Sequence, residues 1–177
     1  GEAYEKAGES LDAVRVLVEE VLGDDVEMVE LSSSLSETKK LNEKGNRTNG
    51  IEYVTATRSL RVNSGKVEDL DRLSRKLYDL NGEGIRLTLN GPDFFVSNLD
   101  EVKIDLMKRA TKNGRDRAEI MAKSSGEKLG SLVSARQGVI QITKPNSTRT
   151  SSYGIYDTET IEKVVKLVVT LEFKIGG

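Results

Sequence analysis

The side chains that could do chemistry in this chain come from a short list of residue types. Of its 177 residues, none is cysteine and none is histidine. The chain therefore lacks a thiol nucleophile, a histidine-based triad, a disulfide and a zinc finger. An enzyme of this composition would need a convergent set of Asp, Glu, Lys, Ser, Thr and Tyr groups, and no motif indicates one. The sequence favours a non-enzymatic protein with no cofactor and no metal site.

Five basic residues lie close together in the middle of the chain: Lys108, Arg109, Lys112, Arg115 and Arg117. They could bind an anionic ligand, a lipid head group or nucleic acid. At helical spacing, however, they occupy several faces, and acidic residues are interleaved among them. A solvated, salt-bridged surface is the favoured interpretation. The net charge is −2 and no aromatic residues accompany the run, so we do not expect nucleic acid as a partner. Arg115 is kept as a candidate contact.

Four carboxylates form an acidic segment near the start of the chain: Asp24, Asp25, Glu27 and Glu30. Carboxylate oxygens are the ligands that hard cations such as calcium prefer. The segment lacks the regular spacing of a calcium-binding loop. It is therefore interpreted as a solvated loop at the end of a helix.

Four aromatic side chains are the other candidates for contact with a ligand or a partner: Phe94, Phe95, Tyr153 and Tyr156. Successive strand residues point to opposite faces, so one phenylalanine should be core and the other could pack between subdomains or subunits. The two tyrosines lie in a polar connector (residues 144–160), which is expected to be a mobile loop. There they either anchor a partner or hold the loop on its own domain, and the sequence favours neither reading.

Eight predicted elements, in the order αββαβαββ, position these residues. The predicted helices cover residues 3–22, 66–80 and 99–125, and the predicted strands cover 26–40, 51–63, 85–96, 132–143 and 162–175. The first two strands are expected to form a hairpin or to lie close together. Helices and strands in this order predict an α+β fold with largely antiparallel or mixed sheets.

The helix at 99–125 is the longest element. Asn98 is suited to cap its first turn, and Gly126 or Gly130 can end it in the left-handed conformation. Small residues recur every four positions along one face: Ala110, Gly114, Ala118, Ala122 and Gly126. Such a row lets another backbone approach closely, so the helix is expected to lie against a sheet or a partner helix.

Three segments of the chain resemble the SIMPL-domain family, whose bacterial members include periplasmic proteins linked to oxidative-stress defence. The first is the helix signature ATKNGRDRAEIMAKSSGEKLGSL at 110–132. The second is RQGVIQITKPNS at 136–147 with YGIYDTETIEKVVKLVVTLEF at 153–173. The third, which is weaker, is YVTATRSLRVNSGKVEDLDRLSRKLYDL at 53–80. The likeness lies in the order and spacing of these segments.

The resemblance implies a single domain over residues 1–177, built from two small, interlocked, α/β-plait-like units. A central unit is expected near 51–98, and a flanking unit is expected from 1–42 and 99–177. Family members usually have a signal peptide or anchor and a first strand ahead of the first helix. Neither is seen here, so the resemblance implies an N-terminally truncated chain. It also implies an extracytoplasmic location and, in some relatives, assembly into large rings. It transfers no catalytic residues.

Two functions are therefore expected. The leading hypothesis is a non-enzymatic, extracytoplasmic domain that acts by self-assembly or by binding a partner at the cell envelope. Contact with a membrane would come only through the missing anchor. The alternative is a small-molecule or peptide binder that uses the cleft between the two units, covered by the connector.

Overall fold

The computed structural model describes residues 1–24 and 26–176. Its α-helices are α1 (Glu2–Leu22), α2 (Leu70–Gly82) and α3 (Leu99–Ser124), and a short 3-10 helix (Val67–Asp69) precedes α2. Its strands are β1 (Glu27–Leu41), β2 (Arg47–Asn63), β3 (Leu129–Gln137), β4 (Gln141–Thr143), β5 (Ile155–Tyr156), β6 (Val164–Lys166) and β7 (Val169–Ile175). This composition of helices and strands confirms the α+β class. None of the described helices is both long and apolar enough to cross a membrane.

The chain divides into two compact units, Gly1–Gly91 (unit 1) and Pro92–Gly177 (unit 2). This division differs from the predicted one, which grouped residues 1–42 with the long helix. The reason is that α1 packs on β2 and on α2, so the start of the chain belongs to unit 1. The long helix packs on strands that follow it, within unit 2.

Unit 1 is built on the antiparallel hairpin β1–β2. Its core contains side chains from both helices of the unit: Val18, Val21 and Leu22 from α1, and Leu73 and Leu77 from α2. These positions repeat at helical spacing, so each helix presents one apolar face to the other and to the sheet. α1 ends at Gly23, whose φ of 82° glycine adopts without a steric penalty.

The outer part of the hairpin extends beyond the cover that α1 provides. Arg58 of β2 marks this limit, because its guanidinium lies 5.3 Å from the centre of the Tyr4 ring near the start of α1. The Nε of Arg58 also donates a hydrogen bond to Glu30 of β1 (2.9 Å). Residues 33–57 continue the two strands and their turn, and most of them are exposed. We call this segment the arm.

Unit 2 places α3 against the antiparallel pair β3–β7, with its closest packing on β7. A second sheet has the strand order β5-β4-β6, in which β4 is parallel to β5 and antiparallel to β6. The row of small residues lies at the seam with β7. A Cβ on Gly114 would lie 2.7 Å from Cδ1 of Leu171, and Ala122 is 2% exposed. The prediction that this row packs against another element is confirmed, and the element is a sheet.

The end of α3 is also as predicted. Gly126 has a φ of 81°, and its N–H donates to the carbonyl of Lys123 (3.1 Å). The N–H of Glu127 donates to the carbonyl of Ala122 (2.9 Å), which completes a Schellman motif. The start differs. Asn98 is at the N-cap position, but its side chain makes no capping hydrogen bond, so the predicted cap is wrong.

The predicted strand at 85–96 is also wrong. These residues form no ladder, and four of their N–H groups make single hydrogen bonds instead. Ile85 donates to the Leu80 carbonyl (3.1 Å) and Leu87 to Asn81 Oδ1 (2.9 Å), at the end of α2. Phe94 donates to the Thr158 carbonyl (2.8 Å) and Val96 to the Tyr156 hydroxyl (2.9 Å). Pro92 interrupts the segment because it has no N–H to donate.

Each of the last two predicted strands is divided in two. The chain forms β3 and β4 in place of one strand at 132–143, and β6 and β7 in place of one at 162–175. At the break, Gly138 N–H donates to the Val168 carbonyl (2.9 Å) outside the regular ladders. A short fifth strand, β5, was not predicted.

Candidate functional site

Two of the predicted aromatic contacts meet in unit 2. The rings of Phe95 and Tyr156 lie with their centroids 6.0 Å apart at an angle of 53°, a favourable tilted arrangement. The hydroxyl of Tyr156 accepts a hydrogen bond from Val96 N–H, which holds the two segments together. The neighbouring Phe94 is half-buried, whereas Phe95 is 68% exposed. The two adjacent phenylalanines therefore have different environments, and Phe95 is the one available for contact.

The other two candidate contacts lie outside this cluster. Tyr153 is 97% exposed, so its ring has almost no packing contact within the described chain. Arg115 is exposed on α3. Elsewhere in the basic run, Arg109 Nε lies 2.8 Å from Asp105 Oδ2, and both side chains are more than half exposed. This pair has the geometry of the salt-bridged surface that the sequence favoured.

Next to Tyr156, Asp157 is the centre of a polar cluster that sequence reasoning missed. Its carboxylate accepts hydrogen bonds from the Thr160 hydroxyl, from Thr160 N–H (3.2 Å) and from Lys163 Nζ (3.1 Å). The Lys163 side chain is 4% exposed and that of Asp157 is 12% exposed. The hydrogen bond from the Thr160 hydroxyl, supported by Lys163, lowers the pKa of Asp157 to about 2.

This cluster ties the connector to the second sheet. Asp157 N–H donates to the carbonyl of Ile142 in β4 (2.8 Å), and Lys163 Nζ also donates to the carbonyl of Thr160. Gln141 Nε2 donates to the carbonyl of Ser151 (2.7 Å), closer to the start of the connector. These bonds argue against the mobile loop expected at 144–160. They support the reading in which the connector is held on its own domain.

A pocket of about 220 Å³ lies beside this cluster, within unit 2. Its lining residues come from the end of β4 and from the connector: Thr143, Lys144, Ser147, Arg149, Ile155, Tyr156, Asp157, Thr158 and Glu159. Thr143 is 2% exposed, and within the described chain its hydroxyl has no hydrogen-bond partner. The pocket is smaller than most small-molecule sites, which measure about 300–1,000 Å³.

The described residues of the acidic segment do not form a cation site. Glu30 is hydrogen-bonded to Arg58 and to Arg15 (3.1 Å), and Glu27 accepts a hydrogen bond from Asn63 Nδ2 (2.7 Å). Asp24 is exposed, and Asp25 lies outside the described residues. Across residues 1–24 and 26–176, no three acidic side chains are grouped closely enough to hold a metal ion.

Residues that are paired on neighbouring strands lie on the same face of the sheet. In the arm of unit 1, successive pairs alternate between two kinds of side chain, so its two faces differ chemically. Three pairs give one face a hydroxyl-rich character: Ser34–Thr57, Ser36–Thr55 and Thr38–Tyr53. The pairs on the opposite face are mainly apolar: Leu35–Ala56, Glu37–Val54 and Lys39–Ile51. On that second face Leu35 is 58% exposed, Ile51 44% and Val54 38%. We call it the apolar face of the arm.

Comparison with known protein families matches residues 1–172 to SIMPL, described as a protein of unknown function (DUF541). The chain belongs to the SIMPL family. No curated protein and no solved structure matches it. The family match covers nearly the whole SIMPL chain, and so includes both the arm and the Asp157 cluster.

The two regions of this SIMPL chain differ in what they can do chemically. In the Asp157 cluster, a carboxylate with so low a pKa is a poor general base near neutral pH. Its neighbours Thr160 and Lys163 are already bonded to it. On the arm, exposed apolar side chains repeat on one face of a two-stranded sheet. Such a face is suited to contact with another polypeptide.

Proposed function

We propose that this SIMPL chain is a non-enzymatic domain that works outside the cytoplasm, by self-assembly or by binding a partner at the cell envelope. The observation that carries the proposal is the apolar face of the arm. An isolated two-stranded hairpin is marginally stable in water. Alternation of apolar and polar residues is typical of strands with one covered face. Leu35, Ile51 and Val54 remain exposed on this face beyond Arg58, and a second polypeptide surface would cover them.

Two further observations support parts of the proposal. Three segments resemble the SIMPL family, whose bacterial members include periplasmic proteins, and this resemblance supports an extracytoplasmic location. The polar cluster around Asp157 supports a non-enzymatic role, because each of its charged groups is engaged in hydrogen bonds that hold the connector.

Light scattering of the full-length gene product, from micromolar to millimolar concentration, tests self-assembly. Cell fractionation tests association with the envelope. Leu35→Ser combined with Val54→Ser should reduce assembly, because both side chains lie on the apolar face. Val133→Ser is the matched control, since Val133 is 59% exposed but lies in β3 of unit 2. A wild-type protein that stays monomeric at millimolar concentration and is absent from envelope fractions would refute the proposal.

A second candidate function is the binding of a small anion in the pocket of unit 2. It is favoured by the unpartnered hydroxyl of Thr143 together with Lys144 and Arg149 in the lining. Two carboxylates, Asp157 and Glu159, also line the pocket, and Asp157 is already paired with Lys163. Titration with inorganic phosphate should then shift the NMR resonance of the Thr143 amide saturably, and Arg149→Gln should weaken that response. Arg109→Gln, on the surface of α3, is the control. A linear, unsaturated response, unchanged by Arg149→Gln, would exclude this function.

A further inference from the structure

We propose that the arm pairs with the arm of a second copy of this chain, through antiparallel strand pairing along the outer edge of β1. The inference rests on the proposed function. It names the outer edge of β1, beside the apolar face, as a surface of self-assembly, and a second copy of the chain as its occupant. In the part of the chain that the structure describes, β1 is hydrogen-bonded to β2 alone. Residues 29–37, 40 and 41 of β1 are exposed, and Thr38 and Lys39 are half-buried. A long open edge of this kind is a template for pairing with another strand.

The sequence of β1 is complementary to itself when it is read in the opposite direction. Residues 35–41 are Leu-Ser-Glu-Thr-Lys-Lys-Leu. An antiparallel pair centred on Thr38 places Leu35 opposite Leu41 of the second copy and Glu37 opposite Lys39. Each of these pairs occurs twice, because a two-fold axis relates the copies. Registers centred on Glu37 or on Lys39 would place two like charges directly opposite each other, which is unfavourable.

The side chains that this register matches lie at alternate positions of one strand and therefore share a face. That face is the apolar face of the arm, so the pairing would extend the apolar strip across both copies. In the single chain Lys39 Nζ lies 2.9 Å from Glu37 Oε2, with both side chains partly exposed. A lone lysine on an edge strand opposes pairing with another strand. Here Glu37 neutralises the charge of Lys39 within the same strand, so this protection is weakened. The β1–β2 ladder is irregular between Thr38 and Lys39 and between Lys39 and Leu41. At both places the extra residues lie on β2, so β1 itself has no inserted residue from Leu35 to Leu41.

The pairing would produce a four-stranded sheet with the strand order β2-β1-β1-β2. Seven paired residues span about 24 Å, which places the contact at the low end of interface sizes. The association should therefore be weak, with its midpoint in the micromolar to millimolar range. A two-fold contact of this kind is closed, so this edge alone gives a dimer.

Charge reversal tests the register. Glu37→Lys and Lys39→Glu should each weaken self-association by about tenfold or more, since two symmetric pairs change from attraction to repulsion. An equimolar mixture of the two variants should associate as well as the wild type, because every reversed charge then faces its opposite. The double variant Glu37→Lys, Lys39→Glu should also self-associate as well as the wild type. Glu2→Lys is the matched control, because it breaks an equally short exposed pair with Lys6 (2.8 Å) in the same unit.

Cross-linking tests the centre of the register. The chain has no cysteine, so Thr38→Cys introduces a single thiol. Directly opposed residues have Cα atoms about 4.5–5.5 Å apart, a distance that a disulfide spans. Mild oxidation should therefore link two copies of Thr38→Cys. Ser34→Cys, on the same strand and face, should not link, because residue 34 would lie opposite residue 42, about 27 Å from its own copy.

The outcomes separate this inference from the proposed function. Self-association that is unaffected by Glu37→Lys and gives no cross-link at residue 38 would overturn the β1 pairing. The proposed function would stand, with assembly through a different surface of the chain. A wild-type protein that is monomeric at millimolar concentration would overturn the pairing as well, and the proposed function would then depend on a different partner. Recovery in the mixture together with a cross-link at residue 38 but not at residue 34 would establish it.

Discussion

Gly114 of α3 is the position where one methyl group tests the packing of the long helix on β7. A Cβ placed there lies 2.7 Å from Cδ1 of Leu171 and 3.5 Å from its Cγ. The first distance is well inside the normal carbon–carbon contact of about 3.5–4.0 Å. Replacing an interior helical glycine by alanine contributes about 1 kcal/mol to stability. Overpacking of this kind costs about 1–3 kcal/mol. We therefore expect Gly114→Ala to lower the free energy of unfolding by about 0–2 kcal/mol.

The sign of the effect should reverse when Leu171 is shortened. In a Leu171→Ala background the crowding atom is absent, and the next neighbour, Cγ2 of Val169, lies 4.0 Å away. Gly114→Ala should then raise the free energy of unfolding by about 1 kcal/mol. The double-mutant cycle should give a coupling energy of about 1–3 kcal/mol. Asn113→Ala, at the exposed neighbouring position, should raise stability by about 0.5 kcal/mol in both backgrounds.

Urea unfolding followed by circular dichroism measures these changes. Hydrogen exchange of the α3 amides assigns them to unit 2, which matters because two units need not unfold in one step. Equal effects of Gly114→Ala in the wild-type and Leu171→Ala backgrounds would refute the reasoning, since the seam would then have room for a side chain.

Three further predictions follow from the same structure. Val18→Ala should lower the free energy of unfolding, measured with urea, by about 2 kcal/mol because Val18 is fully buried. Val16→Ala, at a position that is 65% exposed, should lower it by less than about 0.5 kcal/mol. Equal losses would contradict the assigned core. Gly130→Ala should lower the midpoint of thermal unfolding by several degrees, because its Cβ would lie 2.9 Å from a backbone oxygen of β7; an unchanged midpoint would show that the strands can separate there. The lowered pKa of Asp157 contributes stability that is present above the usual aspartate pKa and is lost as the pH falls through about 2. Hydrogen exchange at Thr160 should accordingly speed up between about pH 4 and pH 2, after correction for the intrinsic rate, and Asp157→Asn should abolish that dependence.

Much of the fold could be predicted because its signals are local. The apolar spacing in α1 and α3 and the glycine after α3 act within one or two turns of helix, so they can be read directly from the residues. The same holds for the small-residue row, although the sequence could not say whether a sheet or a helix would lie against Gly114. Gly8 lies inside α1, where glycine costs about 1 kcal/mol relative to alanine, and no local pattern shows why it is there. A Cβ there would lie 3.0 Å from Nη1 of Arg58, so glycine leaves room for that guanidinium.

The rest depends on contacts between distant parts of the chain. The hydrogen bond between Val96 and Tyr156 joins residues 60 positions apart, so no local sequence pattern indicates it. The predicted strand at 85–96 failed for a related reason. The partners of its N–H groups are divided between the end of α2 and the connector, so they offer no continuous ladder. The cluster around Asp157 lies on an irregular segment where neither helical nor strand periodicity applies. Sequence reasoning therefore placed this segment in the polar connector and assigned no role to Asp157.

The exposed hairpin of the arm also affects the sensitivity of the protein to proteolysis. An exposed hairpin with few packing contacts opens locally far more often than a helical core, and cleavage follows local opening. The arm carries its cationic residues around the turn at Lys39, Lys40, Lys44 and Arg47. Trypsin should therefore cut the tip first and leave the α1–α2 core whole. A protein nicked at Lys39 or Lys40 would keep its α1–α2 core and lose the continuous strand edge through which we propose that it associates.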